Sequence, residues 1–160
     1  MTKKIARWGL LTAAALTLSW LESMLPVFGM VPGMKLGLAN IVTVFALYRM
    51  SWQDAAGITL ARVLLIAAMF GNAYSFAYSL AGAALSFTAM LALKATGRFS
   101  ILGVSAAGGV WHNLGQMLVA VAVLRTVQLG WYFPALLASG TAAGLCIGLA
   151  GGLVTRRVRI

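Results

Sequence analysis

The sequence predicts an all-α integral membrane protein, one polytopic domain over residues 1–160 built as a six-transmembrane-helix bundle, and three observations carry that prediction. Hydrophobic residues make up 62% of the chain and charged residues 9%, with a mean hydropathy of +0.96. A soluble domain is nearer half apolar and a quarter charged. A length of 160 residues holds about six crossings of roughly 20 residues, with short loops and no room for a separate aqueous domain. Finally, the basic residues behind the net charge of +10 punctuate apolar runs. They read as topology signals, which sets aside a nucleic-acid footprint.

The first helix is expected from Ala6 to Leu25, after Lys3, Lys4 and Arg7. This start has the outline of a signal peptide, but the apolar run continues without a small-residue cleavage site, so a retained span is expected. The second, Leu36 to Tyr48, is short and follows Pro26, Pro32 and Gly33. The segment from Pro26 to Lys35 is therefore expected to be a structured loop folding back at the membrane, where irregular backbone is tolerated only beside protein or a water-filled cavity. The third and fourth, Gln53 to Phe70 and Ser75 to Leu93, are divided by a Gly71-Asn72 turn. The fifth and sixth are Gly103 to Leu124 and Phe133 to Val154.

Six spans place both termini on one side. Lys3, Lys4, Arg7, Arg49, Lys94, Arg98, Arg156, Arg157 and Arg159 then share that side, against Lys35 and Arg125 on the other, with Arg62 inside a span. This nine-to-two bias predicts cytoplasmic termini and an external Pro26–Lys35 loop. Gly140, Gly144, Gly148 and Gly152 recur every fourth residue on the last span, a smooth face for close helix packing. Gly9, Ala13 and Thr17 form a second stripe on the first span, open to either internal packing or a partner subunit. There is no inverted internal repeat of the kind many secondary transporters carry. Cys146 is the single cysteine and lies in an apolar stretch, so neither a disulfide framework nor a metal or redox motif is expected.

Ionisable and polar groups within spans are costly and mark candidate functional positions. Arg62 lies near the middle of the third span and Glu22 near the outer end of the first. They can form a structural pair, or Arg62 can serve an anionic ligand, or both. Ser105, Gly109, His112 and Gln116 are offset by four, three and four residues, with Asn113 beside them, and are expected on one helical face. His112 reads either as a satisfied hydrogen-bonding residue or as a ligand contact. Asn40, Asn72, Tyr74, Tyr78 and Ser79 add polar groups to the same outer half. Together these predict a pocket open to the outside, with Trp20, Phe45, Trp111 and Met117 as candidate apolar lining.

Three stretches carry a resemblance: Pro32-Gly33-Met34-Lys35-Leu36-Gly37-Leu38-Ala39-Asn40, Tyr78-Ser79-Leu80-Ala81-Gly82 and Gly108-Gly109-Val110-Trp111-His112-Asn113-Leu114-Gly115-Gln116. They resemble the Gx transporter family, also catalogued as heptaprenyl diphosphate synthase component I. More remotely, the chain is similar to the membrane-embedded S components of energy-coupling factor transporters. That resemblance implies a bacterial cytoplasmic-membrane protein that takes up a small molecule in a pocket roofed by the first external loop; with the polar groups above, the candidate substrate contacts are Glu22, Lys35, Asn40, Arg62, Tyr78, His112, Asn113 and Gln116, beneath a lid of Pro32, Gly33 and Lys35. It also implies a transmembrane coupling protein and cytoplasmic ATPases as partners, with Gly9, Ala13 and Thr17 as the contact stripe.

No cofactor and no enzymatic activity are expected of the chain itself. Prenyl elongation needs carboxylate clusters to hold Mg²⁺, and the sequence has one Asp and one Glu. It also lacks the Gly-x4-Gly-Lys-Ser/Thr phosphate loop. A membrane subunit for extracytoplasmic flavin-based electron transfer, or an accessory subunit of prenyl diphosphate synthesis, stand as alternatives to transport.

Overall fold

A computed structural model describes residues 2–24, 37–70, 73–125, 130–131 and 133–158. Six helices make up its regular structure: α1 (Thr2–Met24), α2 (Asn40–Arg49), α3 (Trp52–Phe70), α4 (Ala73–Ala95), α5 (Ile101–Leu124) and α6 (Phe133–Arg157). Four of them, α3 to α6, are long and apolar enough to cross a bilayer. The charges at both ends of α1 dilute its hydropathy, and α2 has 10 residues, about 15 Å, half the thickness of the hydrocarbon core.

Local sequence sets these boundaries. Ser51 precedes α3, accepts the Asp54 N–H at 3.1 Å and donates to the Asp54 carboxylate at 2.7 Å, a capping box written as Ser-x-x-Asp. Ser100 accepts the Gly103 N–H at 3.3 Å and starts α5. The second helix was expected from Leu36. Instead, Gly37 adopts φ +72 and its carbonyl accepts the Asn40 N–H at 2.7 Å, so the helix begins at Asn40. A left-handed residue cannot continue a right-handed helix. The Pro26–Lys35 loop, with Pro32, Gly33 and Lys35, lies outside the described residues, as do Gly71 and Asn72.

Among the described residues, α2, α3, α4, α5 and α6 close into a ring, each touching the next and α6 touching α2, while α1 packs outside against α3 and the flank of α2. Glycine makes the tightest seams. A methyl on Gly109 would stand 2.1 Å from the Gly140 carbonyl oxygen, and one on Gly144 2.5 Å from the Ser105 carbonyl oxygen. Gly148 meets Leu102 and Ser105, and Gly151 meets Val44 of α2. The glycines of α6 therefore serve packing within the chain. Lipid is as apolar as leucine, so helix association here rests on such close van der Waals fit.

Polar ties define one end of the bundle. Arg49 donates twice to the Thr155 carbonyl, at 2.9 and 2.6 Å. Lys94 donates to the Leu47 carbonyl and its ammonium lies 5.1 Å from the Tyr48 ring centroid. Lys4 pairs with Asp54 at 2.8 Å. Each interaction joins helix ends belonging to the side where the sequence groups its basic residues. The apolar core occupies this same half: Val44, Leu47, Ala55, Ile58, Met90 and Val104 are buried against one another.

Candidate functional site

The far half of the bundle holds most of the candidate side chains. Glu22 sits in the last turn of α1, and its two carboxylate oxygens accept the backbone N–H groups of Gly37 at 2.5 Å and Leu38 at 3.2 Å. An anion suits that place, because the N–H groups of Gly37 and Leu38 lie just ahead of α2, at the positive end of its dipole. Arg62, on α3, donates a long 3.4 Å hydrogen bond to Ser19 of α1. Its buried Nε has no hydrogen-bond partner among the described residues. Glu22 attracts Arg62 through space, but the ion pair among the described residues is Lys4 with Asp54. Glu22 thus holds backbone while Arg62 retains unused donor capacity.

On α5, Ser105, His112, Asn113 and Gln116 are all buried. The single face expected for them divides in two, because α5 is flanked on both sides. Ser105, Gly109 and Asn113 turn towards α6, where Asn113 Nδ2 donates to the Leu136 carbonyl at 2.9 Å and to Ser139 Oγ at 3.3 Å. The Asn113 amide nitrogen is therefore spent on tying two helices together. His112 and Gln116 turn towards α4 and rest against Gly82. Gln116 is 4% exposed, and its Oε1 has no partner among the described residues.

Asn40 is buried at the first residue of α2 beside Gly37. Tyr78 and Ser79 are half-buried on α4, whereas Tyr74 is exposed. Of the candidate apolar lining, Phe45 is buried and Met117 half-buried, while Trp20 and Trp111 face outwards. Amphipathic rings of this kind suit a membrane interface. Cys146 is also exposed. The stripe of Gly9, Ala13 and Thr17 is exposed, with nothing within 4 Å of a methyl placed on Gly9. It takes no part in packing within the described chain.

One constellation was missed from sequence. Asp54 is 8% exposed and accepts Trp8 Nε1 at 3.0 Å, Ser51 Oγ at 2.7 Å and Lys4 Nζ at 2.8 Å. The Trp8 ring covers Gly57, where a methyl would stand 2.1 Å from its Cη2. This clamp fixes the start of α1 to α3. The Ser51-Trp52-Gln53-Asp54 capping signature and the Lys4–Trp8 spacing of four residues were the available signals.

A family model described as heptaprenyl diphosphate synthase component I matches residues 11–154. No curated protein and no solved structure matches the chain. The matched segment covers most of the sequence, and the chain belongs to this family, as a membrane-associated helical component.

Proposed function

We propose that this member of the heptaprenyl diphosphate synthase component I family captures a small organic anion in the far half of its helical bundle, for uptake with partner subunits. The observation that carries this reading is Arg62: a guanidinium within a spanning helix whose Nε has no partner among the described residues. An ionisable group in that position is costly unless it is hydrated, paired or bound to ligand. Gln116 Oε1 is a second buried group in want of a partner, and as an acceptor it calls for an N–H or O–H on the ligand. Vitamin-like, flavin-like and isoprenoid or quinone-precursor molecules meet both demands, with Asn40, Tyr78 and His112 as further contacts.

The basic rim supports cytoplasmic termini and a site facing the extracytoplasmic side of a bacterial membrane. In this reading the exposed stripe of Gly9, Ala13 and Thr17 is the surface for a transmembrane coupling protein that works with cytoplasmic ATPases, as in S components of energy-coupling factor transporters.

The family description favours a second reading, an accessory subunit of prenyl diphosphate synthesis. Such a role requires a partner chain for the metal-binding carboxylates. Asp54 is held by Lys4, Trp8 and Ser51, and Glu22 by the Gly37 and Leu38 backbone.

Native mass spectrometry of protein extracted in mild detergent tests the main reading. The expected result is a stoichiometric anionic small molecule that leaves on Arg62→Ala. Capture of a carboxylate-rich synthase chain, with no small molecule at any extraction condition, would replace it by the second.

A further inference from the structure

Helices α4 and α5 meet along a seam with glycines on both sides. Gly115 faces backbone, since a methyl there would stand 2.6 Å from the Ala81 carbonyl oxygen. Gly108 faces the core, with the Met90 sulfur 2.7 Å from the same position. These two keep the helices close. Gly82 has a different set of neighbours. A methyl on it would meet His112 Cε1 at 3.0 Å, His112 Nδ1 at 3.1 Å and Gln116 Cγ at 3.1 Å. The three nearest atoms all belong to two side chains of the candidate site, and none to backbone.

We propose that Gly82 is a positioning residue that sets the rotamers of His112 and Gln116 for ligand. This rests on the ligand-binding reading above. A side chain in a closely packed interior takes the rotamer its neighbours leave open. Here the bare Cα of Gly82 leaves room for the imidazole edge and for the first methylene groups of Gln116. Both residues are more than nine-tenths buried, at 7% and 4% exposure. Burial leaves little room for either side chain to adjust, so this contact bears on the direction of both. Any larger residue at position 82 meets the two polar side chains first, although the Gly82 Cα, 2.9 Å from a methyl placed on Gly115, also belongs to the backbone approach that holds the helices. Gly82 acts on ligand through those groups and has no polar side chain of its own.

His112 is the only histidine in the chain, so its imidazole gives a single reporter. In protein labelled at histidine, the wild type should show one narrow Cε1–H signal. Gly82→Ala should split or broaden that signal as the ring leaves its rotamer. It should also weaken binding of flavin mononucleotide, a probe with an anionic phosphate and ring N–H and hydroxyl donors, by roughly tenfold. In an H112A/Q116A background the same Gly82→Ala change should alter binding by less than about twofold, because distant or missing partners do not couple.

If Gly82→Ala alone does not fold, adding it to H112A/Q116A should restore folding to the level of that double variant. An unchanged imidazole signal, an equal binding loss in both backgrounds, or a triple variant that still fails to fold would each overturn the proposal. Failure of flavin mononucleotide to bind the wild type would bear on the ligand class, while the imidazole signal and the folding rescue still decide the role of Gly82.

Discussion

The two halves of this bundle differ in how they hold charged side chains. At the end where Lys4, Arg49 and Lys94 gather, these charges are matched, Asp54 by three donors, Arg49 by the Thr155 carbonyl and Lys94 by the Leu47 carbonyl, while the Tyr48 hydroxyl is buried without a partner among the described residues. At the far end Arg62 Nε and Gln116 Oε1 are buried without partners among the described residues. The contrast teaches that the charges of the first half tie helix ends together, whereas the guanidinium of the second keeps donor capacity at a cost in folding free energy.

The comparison can be broken first at the seams both halves share. Gly109→Ala places a methyl 2.1 Å from the Gly140 carbonyl oxygen, and should cost about 3 kcal/mol, read as a large loss of folded fraction in detergent unfolding. Within the first half, Asp54→Ala leaves Trp8 and Lys4 without their acceptor. It should lower thermal stability and free the start of α1, measured as faster hydrogen exchange there than in α5. Lys4→Ala should matter far less, below about 1 kcal/mol in thermal unfolding, because Lys4 is 65% exposed and Asp54 keeps two other donors. Smallest of all, Gly9→Ala should leave the isolated chain within about 0.5 kcal/mol of wild type, since nothing lies within 4 Å of the added methyl. Any effect of that substitution on uptake would then report a partner.

The sequence made the two halves legible to different degrees. Charge punctuation and turn residues located all six helices, and the every-fourth-residue glycines of α6 marked a face for close packing, which α5 meets at Gly140, Gly144 and Gly148. The start of α2 was misplaced because its boundary depends on the φ of one glycine, which composition does not reveal. The split of the α5 stripe was hidden for a related reason. Helical spacing says which residues share a face, but a helix flanked on both sides by neighbours uses a broad face twice, and only the packing of α4 and α6 says which residue goes where. Asp54 was overlooked because a charge at the end of a span reads as a topology signal, and its four-group clamp joins residues 46 apart in sequence.

The central question is whether the Arg62 guanidinium, whose Nε has no partner among the described residues, serves a ligand. Arg62→Met keeps the length and the apolar stem while removing the charge. Measured side by side, thermal stability and retention of the co-purified small molecule should separate: stability equal to or above wild type, because an unpaired charge has been taken out of the membrane, and ligand lost. A variant that keeps its ligand but melts well below wild type would contradict the account, and would make Arg62 a strut of the fold.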